Sequence, residues 1–179
     1  AEAVAIRDGE FLAVGDTDDI RYLAGPETVE RDLGGRTVVP GLIDSHIHLR
    51  QVGMDLDRVT LFDARTIQDV LDAIGAEAAT LADDEWVLAG WGWHESQLEE
   101  ERLPTRSELD TVAPDNPVFI PRGGHVAICN SVALELAGID AETDDPDGGT
   151  IVRNPDTGKP NGVVIEHART ELVEPVLPD

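Results

Sequence analysis

Short apolar runs separated by turn dipeptides predict antiparallel strands over residues 1–40. Two hairpins are expected, one with Asp8-Gly9 between residues 4–7 and 10–14, the other with Gly34-Gly35 between residues 28–33 and 37–39. Asp-Gly between apolar runs is among the strongest signals for a two-residue hairpin loop. Residues 16–19 are predicted to be a polar loop. Because so small a sheet is marginal alone, it is expected to pack with further strands.

The apolar spacing changes after Pro40 and predicts an α/β region. Residues 41–48 are predicted to form a strand, and residues 49–57 a polar loop. A helix is expected from Thr66, with Asp69 at the capping-box position and apolar residues at helical spacing. That apolar face comprises Ile67, Val70, Leu71, Ile74, Ala78 and Leu81. Residues 86–90 then form a continuous apolar run typical of a buried parallel strand, which completes a βαβ unit.

Helices and strands continue to alternate over the rest of the chain. The predicted elements are a helix capped by Thr105 with Glu108, strands over residues 118–120 and 126–129, a helix over residues 132–137 capped by Asn130 or Ser131, and a hairpin of residues 148–153 and 162–166. A further helix is expected to begin near Ala168. The pattern as a whole favours an α/β protein.

The charge balance restricts the partners of the protein. The 179 residues carry 37 acidic and 13 basic side chains, a formal net charge of −24, and Lys159 is the single lysine. This excess of acid disfavours nucleic acid and anionic membrane surfaces as partners. Apolar residues make up 41% of the chain, enough for a packed core. A solvated acidic surface is the preferred explanation. The excess of acid and scarcity of lysine also suggest the hypothesis of adaptation to high salt, which screens the repulsion.

Cysteine content and hydropathy indicate a cytoplasmic protein. Cys129 is the single cysteine, so the chain forms no internal disulfide and fits a reducing compartment. No apolar run reaches the length of a membrane span, and the N-terminus lacks the layout of a signal peptide.

Two histidines end the strand predicted after Pro40. Side chains alternate along a strand, so His46 and His48 are expected on one face, where both imidazoles can reach one divalent ion at roughly 2.0–2.1 Å. The alternative is that both merely end an ordinary strand. Residues 40–48 read Pro-Gly-Leu-Ile-Asp-Ser-His-Ile-His, which resembles the first barrel strand of the amidohydrolase superfamily. The resemblance implies that His46 and His48 bind metal.

The same resemblance implies a fold and a division of the chain. Residues 1–40 would contribute to a small β-sandwich, and residues 41–179 would form the first part of a (β/α)8 TIM-like barrel with long inserted loops. The latter segment is shorter than the roughly 250 residues of a closed barrel. The chain is therefore expected to be the N-terminal portion of a longer enzyme, inactive alone, with its general base and remaining ligands beyond residue 179.

Three side chains after the strand of residues 86–90 are candidate substrate contacts. Trp91, Trp93 and His94 follow it directly, and strand C-terminal ends line the active-site mouth of a barrel enzyme. Indoles supply apolar pocket walls. Alternatively, the tryptophans fill the core and His94 is an ordinary loop residue. Relatives within the superfamily commonly carry aspartate at the position of His94.

His125 and Glu166 complete the set of candidate residues. Arg-Gly-Gly-His over residues 122–125, followed by Asn-Ser-Val-Ala-Leu from Asn130, resembles the long-loop amidohydrolases that include N-substituted formamide deformylases. That branch implies that His125 contacts substrate and that Glu166 is a third or bridging metal ligand. From the residues alone, His125 is equally a structural histidine, and Glu166 equally pairs with an arginine or caps the next helix.

The function implied by the resemblance is hydrolysis of a C–N bond in an amide, formamide or cyclic amide. One or two divalent ions, expected to be zinc, would activate water and polarise the carbonyl. The partner is a small-molecule substrate, and a homo-oligomer is possible. Two alternatives remain: a non-catalytic amidohydrolase-like barrel used for assembly or binding, and a metal-independent binding or lyase domain that shares the barrel.

Overall fold

A computed structural model describes residues 1–178, which separate into two compact units divided after Ser45. The N-terminal unit is built on an antiparallel hairpin of β1 (Ala3–Arg7) and β2 (Glu10–Gly15). Asp8 and Gly9 form its two-residue loop with φ of 55° and 83°, the left-handed backbone that a tight hairpin loop requires. The first predicted hairpin is therefore confirmed.

The rest of the N-terminal unit differs from the prediction. The polar loop expected over residues 16–19 is largely helical, because α1 covers Thr17–Arg21. The second hairpin is wrong: Gly34 and Gly35 do form a turn, but residues 28–33 and 37–39 are not strands. A strand exists only where a neighbour exchanges backbone hydrogen bonds with it, and the described residues offer these segments none.

The strand expected over residues 41–48 is also absent. Leu42 and Ile43 are 95% and 91% exposed, and no strand of residues 1–178 pairs with this segment. The loop expected over residues 49–57 is instead mostly α2 (Leu49–Asp55), which begins directly after His48. The composition of residues 41–48 is typical of a strand, but a strand also needs a hydrogen-bonding partner.

A five-stranded mixed sheet organises the second unit. Its strands are β3 (Val87–Leu88), β4 (Val118–Arg122), β5 (Val126–Cys129), β6 (Gly149–Arg153) and β7 (Pro160–Glu166), in the order β3-β4-β5-β7-β6. β3 and β4 run parallel, and a parallel bridge joins Val59 to Ala89. The other pairings are antiparallel. The predicted βαβ unit lacks its first strand, because residues 41–48 are not a strand and only the isolated bridge at Val59 precedes the helix Ile67–Ala78 beside β3.

Helices of the second unit pack beside this sheet and begin where their capping residues predict. They are α3 (Ile67–Ala78), α4 (Arg106–Val112) and α5 (Ser131–Leu136), followed by a π-helical segment (Ala168–Val173) and a short 3-10 helix (Glu174–Val176). Thr66 with Asp69 and Thr105 with Glu108 form complete capping boxes. Asn130, one of two predicted caps, accepts the backbone N–H of Ala133 at the start of α5.

Two clusters of buried side chains form the core of the second unit. The first contains the predicted face of α3, with Val70 and Ile74 fully buried, packed against Val87 and Ile120. The second contains mainly side chains of the sheet and of α5: Phe119, Ala127, Cys129, Ala133, Leu134, Ile139, Ile151, Val164, Ala168 and Val173. Burial of each large apolar side chain stabilises the fold by roughly 1.5–3 kcal/mol.

The architecture is thus mixed α/β, as predicted. The parallel β3-β4 pair has the orientation of barrel strands, whereas β5, β7 and β6 form an antiparallel extension. The (β/α)8 barrel, the β-sandwich and the domain boundary at residue 40 stay predictions. None of the helices within residues 1–178 is long and apolar enough to span a membrane.

Candidate metal and substrate site

The two predicted metal-binding histidines point their outer ring nitrogens at each other. Nε2 of His46 lies 3.2 Å from Nε2 of His48, and the rings are nearly perpendicular with centroids 5.1 Å apart. Two nitrogens bound at about 2.05 Å to one tetrahedral zinc would be about 3.3 Å apart. The same distance also permits an N–H···N hydrogen bond between neutral rings. Both side chains are exposed, so the pair is accessible and its spacing fits a shared ion.

The start of α2 holds His48 in place. His48 is the N-cap residue of this helix, and its carbonyl accepts the backbone N–H of Val52 at 3.0 Å. The imidazole lies 6.4 Å from the Trp91 ring, measured between centroids. The structure therefore brings one predicted pocket residue, Trp91, next to the histidine pair.

Asp55, at the other end of α2, fixes the backbone that carries Trp91. One carboxylate oxygen, Oδ2, accepts the backbone N–H of Trp91 at 3.0 Å. A Cβ placed on Gly90 would lie 3.1 Å from Cγ of Asp55, so the glycine is needed for this close approach. The other oxygen, Oδ1, is sealed from solvent without a hydrogen bond in residues 1–178, and its nearest cation is Arg58 Nη1 at 3.9 Å. Helix α2 thus links the histidine pair to the end of β3.

Trp93 and His94 have contacts that are structural in character. The Trp93 side chain is buried, and its indole N–H donates to the carbonyl of Pro121 at 2.8 Å. His94 caps the 3-10 turn Glu95–Gln97, accepting the backbone N–H of Ser96 on Nδ1 at 3.2 Å. These contacts fix both residues, and their predicted contact with substrate stays a prediction.

An ion pair joins the loop of His94 to the end of β4. Arg122 donates to both carboxylate oxygens of Glu95, with Nε to Oε2 at 2.6 Å. The hydrogen bonds from Arg122 hold the pKa of Glu95 below its usual range. Because Arg122 begins the turn that leads to His125, the pair holds two loops bearing predicted pocket residues together.

Glu166 pairs with His125 and not with the two histidines predicted to bind metal. Its Oε1 lies 2.9 Å from Nδ1 of His125, and its backbone N–H donates to the His125 carbonyl at 2.8 Å. Glu166 has φ of 50°, an uncommon backbone conformation for a residue with a side chain. Residues 1–178 contain no cluster of three or more His, Cys, Asp or Glu side chains suited to a metal. A ligand role for Glu166 therefore stays a prediction.

Arg169 belongs to this region, although no sequence signal identified it. Its side chain is buried, with the guanidinium carbon 5.4 Å from the Trp91 ring and 5.7 Å from the Phe119 ring. It donates through Nε to Glu174 and through Nη1 to the carbonyl of Gly123, both at 2.9 Å. An arginine in a polar stretch looks exposed in sequence, and only the fold buries it.

Known proteins with a similar sequence cover nearly the whole chain. The profile of the amidohydrolase family matches residues 29–178. Protein LONG AFTER FAR-RED 3 of Arabidopsis thaliana is 39% identical, with 98% of this chain and 30% of that protein aligned. An N-substituted formamide deformylase of Arthrobacter pascens is 40% identical, with 96% of this chain and 32% of that protein aligned. The chain thus spans about a third of the length of these relatives.

A solved structure shows the same type of fold. The crystal structure of an uncharacterized metal-dependent hydrolase from Pyrococcus horikoshii OT3 superposes with a TM-score of 0.50 at 25% sequence identity. The alignment covers 97% of this chain and 32% of that protein.

Proposed function

Because the chain belongs to the amidohydrolase family, we propose that it is the N-terminal portion of a metal-dependent enzyme that hydrolyses a C–N bond in an amide, formamide or cyclic amide. The observation that carries the proposal is the 3.2 Å separation of the Nε2 atoms of His46 and His48. Two neutral imidazoles at that spacing form half of a tetrahedral site and leave the other positions open.

His46 and His48 would hold the ion, and other residues would shape the pocket. A bound divalent ion supplies Lewis acidity and lowers the pKa of water. Trp91 forms an apolar wall beside His48. His125, oriented through Nδ1 by Glu166, would present its other ring nitrogen to substrate, while Trp93 and His94 support the loops behind the wall.

A formamide is the favoured substrate type. The name of the Arthrobacter relative states that it removes formyl groups from N-substituted formamides, and that protein is 40% identical to this chain. Zinc as the metal, one or two ions per site, Glu166 as a further ligand and a cytoplasmic location belong to the same proposal. So do a homo-oligomeric state, the barrel, and the inactivity of residues 1–179 alone.

Metal analysis of the full-length protein tests the proposal. The unaltered protein is expected to retain a divalent ion after dialysis, and His46→Ala combined with His48→Ala is expected to lose it together with formamide hydrolysis. His167→Ala is the matched control, because this exposed histidine bonds through Nδ1 to the carbonyl of Asp147. Unchanged metal content and hydrolysis in the double variant would refute the proposal.

A further inference from the structure

A buried arginine lies among the side chains predicted to bind substrate. Arg169 is 4% exposed, and its guanidinium carbon is within 6 Å of the rings of Trp91 and Phe119. Aromatic faces attract a guanidinium, but they do not replace the hydrogen bonds it makes with water. Burial of this cation is therefore unfavourable unless its N–H groups find acceptors.

The protein supplies acceptors for only part of the guanidinium. Nε donates to Glu174 and Nη1 to the Gly123 carbonyl. Nη2 has no hydrogen-bond acceptor within residues 1–178. It is nevertheless not fully enclosed, because Oδ1 of Asp55 is the one side-chain N or O atom in that range that is both buried from solvent and without a hydrogen bond. Among residues 1–178, one nitrogen of Arg169 thus has no hydrogen-bond acceptor and is not completely enclosed.

Stability alone does not explain an arginine here. Replacement of a buried ion pair by apolar residues of similar volume is often neutral or stabilising. Methionine, an unbranched apolar side chain, would avoid the cost of removing a charge from water. Arg169 is also the one charged residue counted as buried in the described part of a strongly acidic chain.

The position of Arg169 relative to the histidine pair suits a small ligand. His48 lies 6.4 Å from the Trp91 ring and the guanidinium carbon 5.4 Å from it, which together limit their separation to about 12 Å. Gly123, which accepts from Nη1, lies in the β4-β5 turn that carries His125. The two side chains are therefore no farther apart than the length of a small molecule.

We propose that Arg169 recognises a carboxylate of the substrate. The substrate class is then an N-formyl or N-acyl compound that carries a carboxylate, such as an N-formyl amino acid. This inference rests on the proposed hydrolase function and specifies its substrate. A guanidinium suits the task because its planar N–H groups match the two oxygens of a carboxylate, and such charge-assisted hydrogen bonds are strong.

The test compares charged and neutral forms of one substrate in the metal-loaded full-length protein. The pairs are N-formylglycine with N-formylglycinamide, and N-formyl-4-aminobutanoate with its amide. Two chain lengths are used because only the maximum distance between His48 and Arg169 is known. We expect kcat/KM to favour the carboxylate of at least one pair by about tenfold or more. Arg169→Met should abolish that preference, so that the charged and neutral forms of each pair are hydrolysed with similar kcat/KM. The ratio within one preparation does not depend on the folded fraction.

Arg106→Gln is the matched control, because Arg106 lies at the start of α4 in a shallow cleft with Ser131 and Leu134. It should keep the preference. Equal hydrolysis of both forms by the unaltered protein, or a preference retained in Arg169→Met, would overturn the inference and leave the hydrolase function standing.

Absence of hydrolysis of all four compounds would instead count against the hydrolase function. Calorimetric binding of N-formylglycine and N-formyl-4-aminobutanoate then decides the role of Arg169. Binding at least tenfold tighter to the unaltered protein than to Arg169→Met supports the inference, and equal or undetectable binding to both overturns it.

Discussion

Replacement of Asn130 by aspartate would remove two hydrogen bonds from the core without a change of shape. Asn130 is fully buried between β5 and α5. Its Oδ1 accepts the backbone N–H groups of Val118 and Ala133, both at 3.0 Å, and its Nδ2 donates to the carbonyls of Ala113 at 2.9 Å and Asn116 at 2.8 Å. The side-chain amide thus uses both of its donor hydrogens.

The expected loss of stability is set by whichever protonation state of the introduced carboxyl has the lower free energy. An ionised carboxylate in Asn130→Asp would face two carbonyl oxygens at 2.8–2.9 Å with no donor between them. A protonated carboxyl satisfies one carbonyl, but its protonation at pH 7 costs about 4 kcal/mol from an ordinary pKa near 3.9. The second carbonyl, left unpaired, costs about 1–3 kcal/mol. Unfolding free energy should therefore fall by about 5–7 kcal/mol at pH 7.

The pH dependence gives this prediction its distinctive sign. Burial against carbonyl oxygens raises the pKa of the introduced carboxyl in the folded state above its unfolded value. The folded variant then holds the proton more tightly, so the loss of stability is smallest near pH 4 and grows by about 1.4 kcal/mol per pH unit above that. Near pH 4 only the unpaired carbonyl remains, a loss of about 1–3 kcal/mol.

Guanidinium unfolding followed by circular dichroism, from pH 4 to pH 7, measures the difference from the unaltered protein. Asn161→Asp is the matched control, because Oδ1 of Asn161 accepts the Val163 N–H at 3.0 Å on a partly exposed strand and the change keeps that acceptor. It should cost less than about 0.5 kcal/mol. If Asn130→Asp unfolds at pH 7, it should refold near pH 4. A loss below about 1.5 kcal/mol at pH 7, or one that does not vary with pH, would refute the reasoning.

Three further outcomes follow from the structure. Two hydrogen bonds from Arg102 lower the pKa of Glu108 to about 2, so its contribution is present above pH 4.5 and lost as the pH falls toward 2. Because Arg102 is 45% exposed, Glu108→Gln should lower the unfolding free energy by only about 1–2 kcal/mol at pH 7 and by almost nothing at pH 2. An equal loss at both pH values would contradict this. Gly90→Ala places a Cβ 3.1 Å from Cγ of Asp55 and should weaken formamide hydrolysis, whereas the Cβ of Gly124→Ala meets no atom within 4 Å and should leave hydrolysis unchanged. Equal activities of the two variants would show that the contact with Asp55 does not affect hydrolysis. With a net charge of −24, the melting temperature should rise between 0.1 and 2 M KCl, and a fall would argue against adaptation to high salt.

Local signals in the sequence predicted the elements that depend on local interactions. The capping boxes at Thr66 and Thr105, the cap at Asn130 and the loop of Asp8 and Gly9 each use hydrogen bonds or backbone angles within a few residues. Such interactions depend mainly on residues close in the sequence, so these elements could be predicted without knowledge of the fold.

Pairing between strands was harder to predict, because it depends on a partner elsewhere in the chain. Residues 28–33 and 37–39 have the composition of strands but exchange no ladder hydrogen bonds, and residues 41–48 likewise belong to no strand ladder of the described residues. A β-propensity describes side chains that fit a half-buried pleated surface, and it has no effect where that surface is absent.

The same distinction divides the candidate site into two halves. His46 and His48 are separated by one residue, so their ring nitrogens lie 3.2 Å apart even though the strand expected to align them is absent. The pocket half joins Asp55 to Trp91 across 36 residues, His125 to Glu166 across 41 and Arg169 to Gly123 across 46. These contacts form only when the sheet is assembled. The sequence pattern therefore gave no indication that an arginine is buried beside Trp91. The metal site proposed for this amidohydrolase therefore rests on a short motif, whereas its proposed substrate contacts rest on long-range contacts that the sequence pattern does not contain.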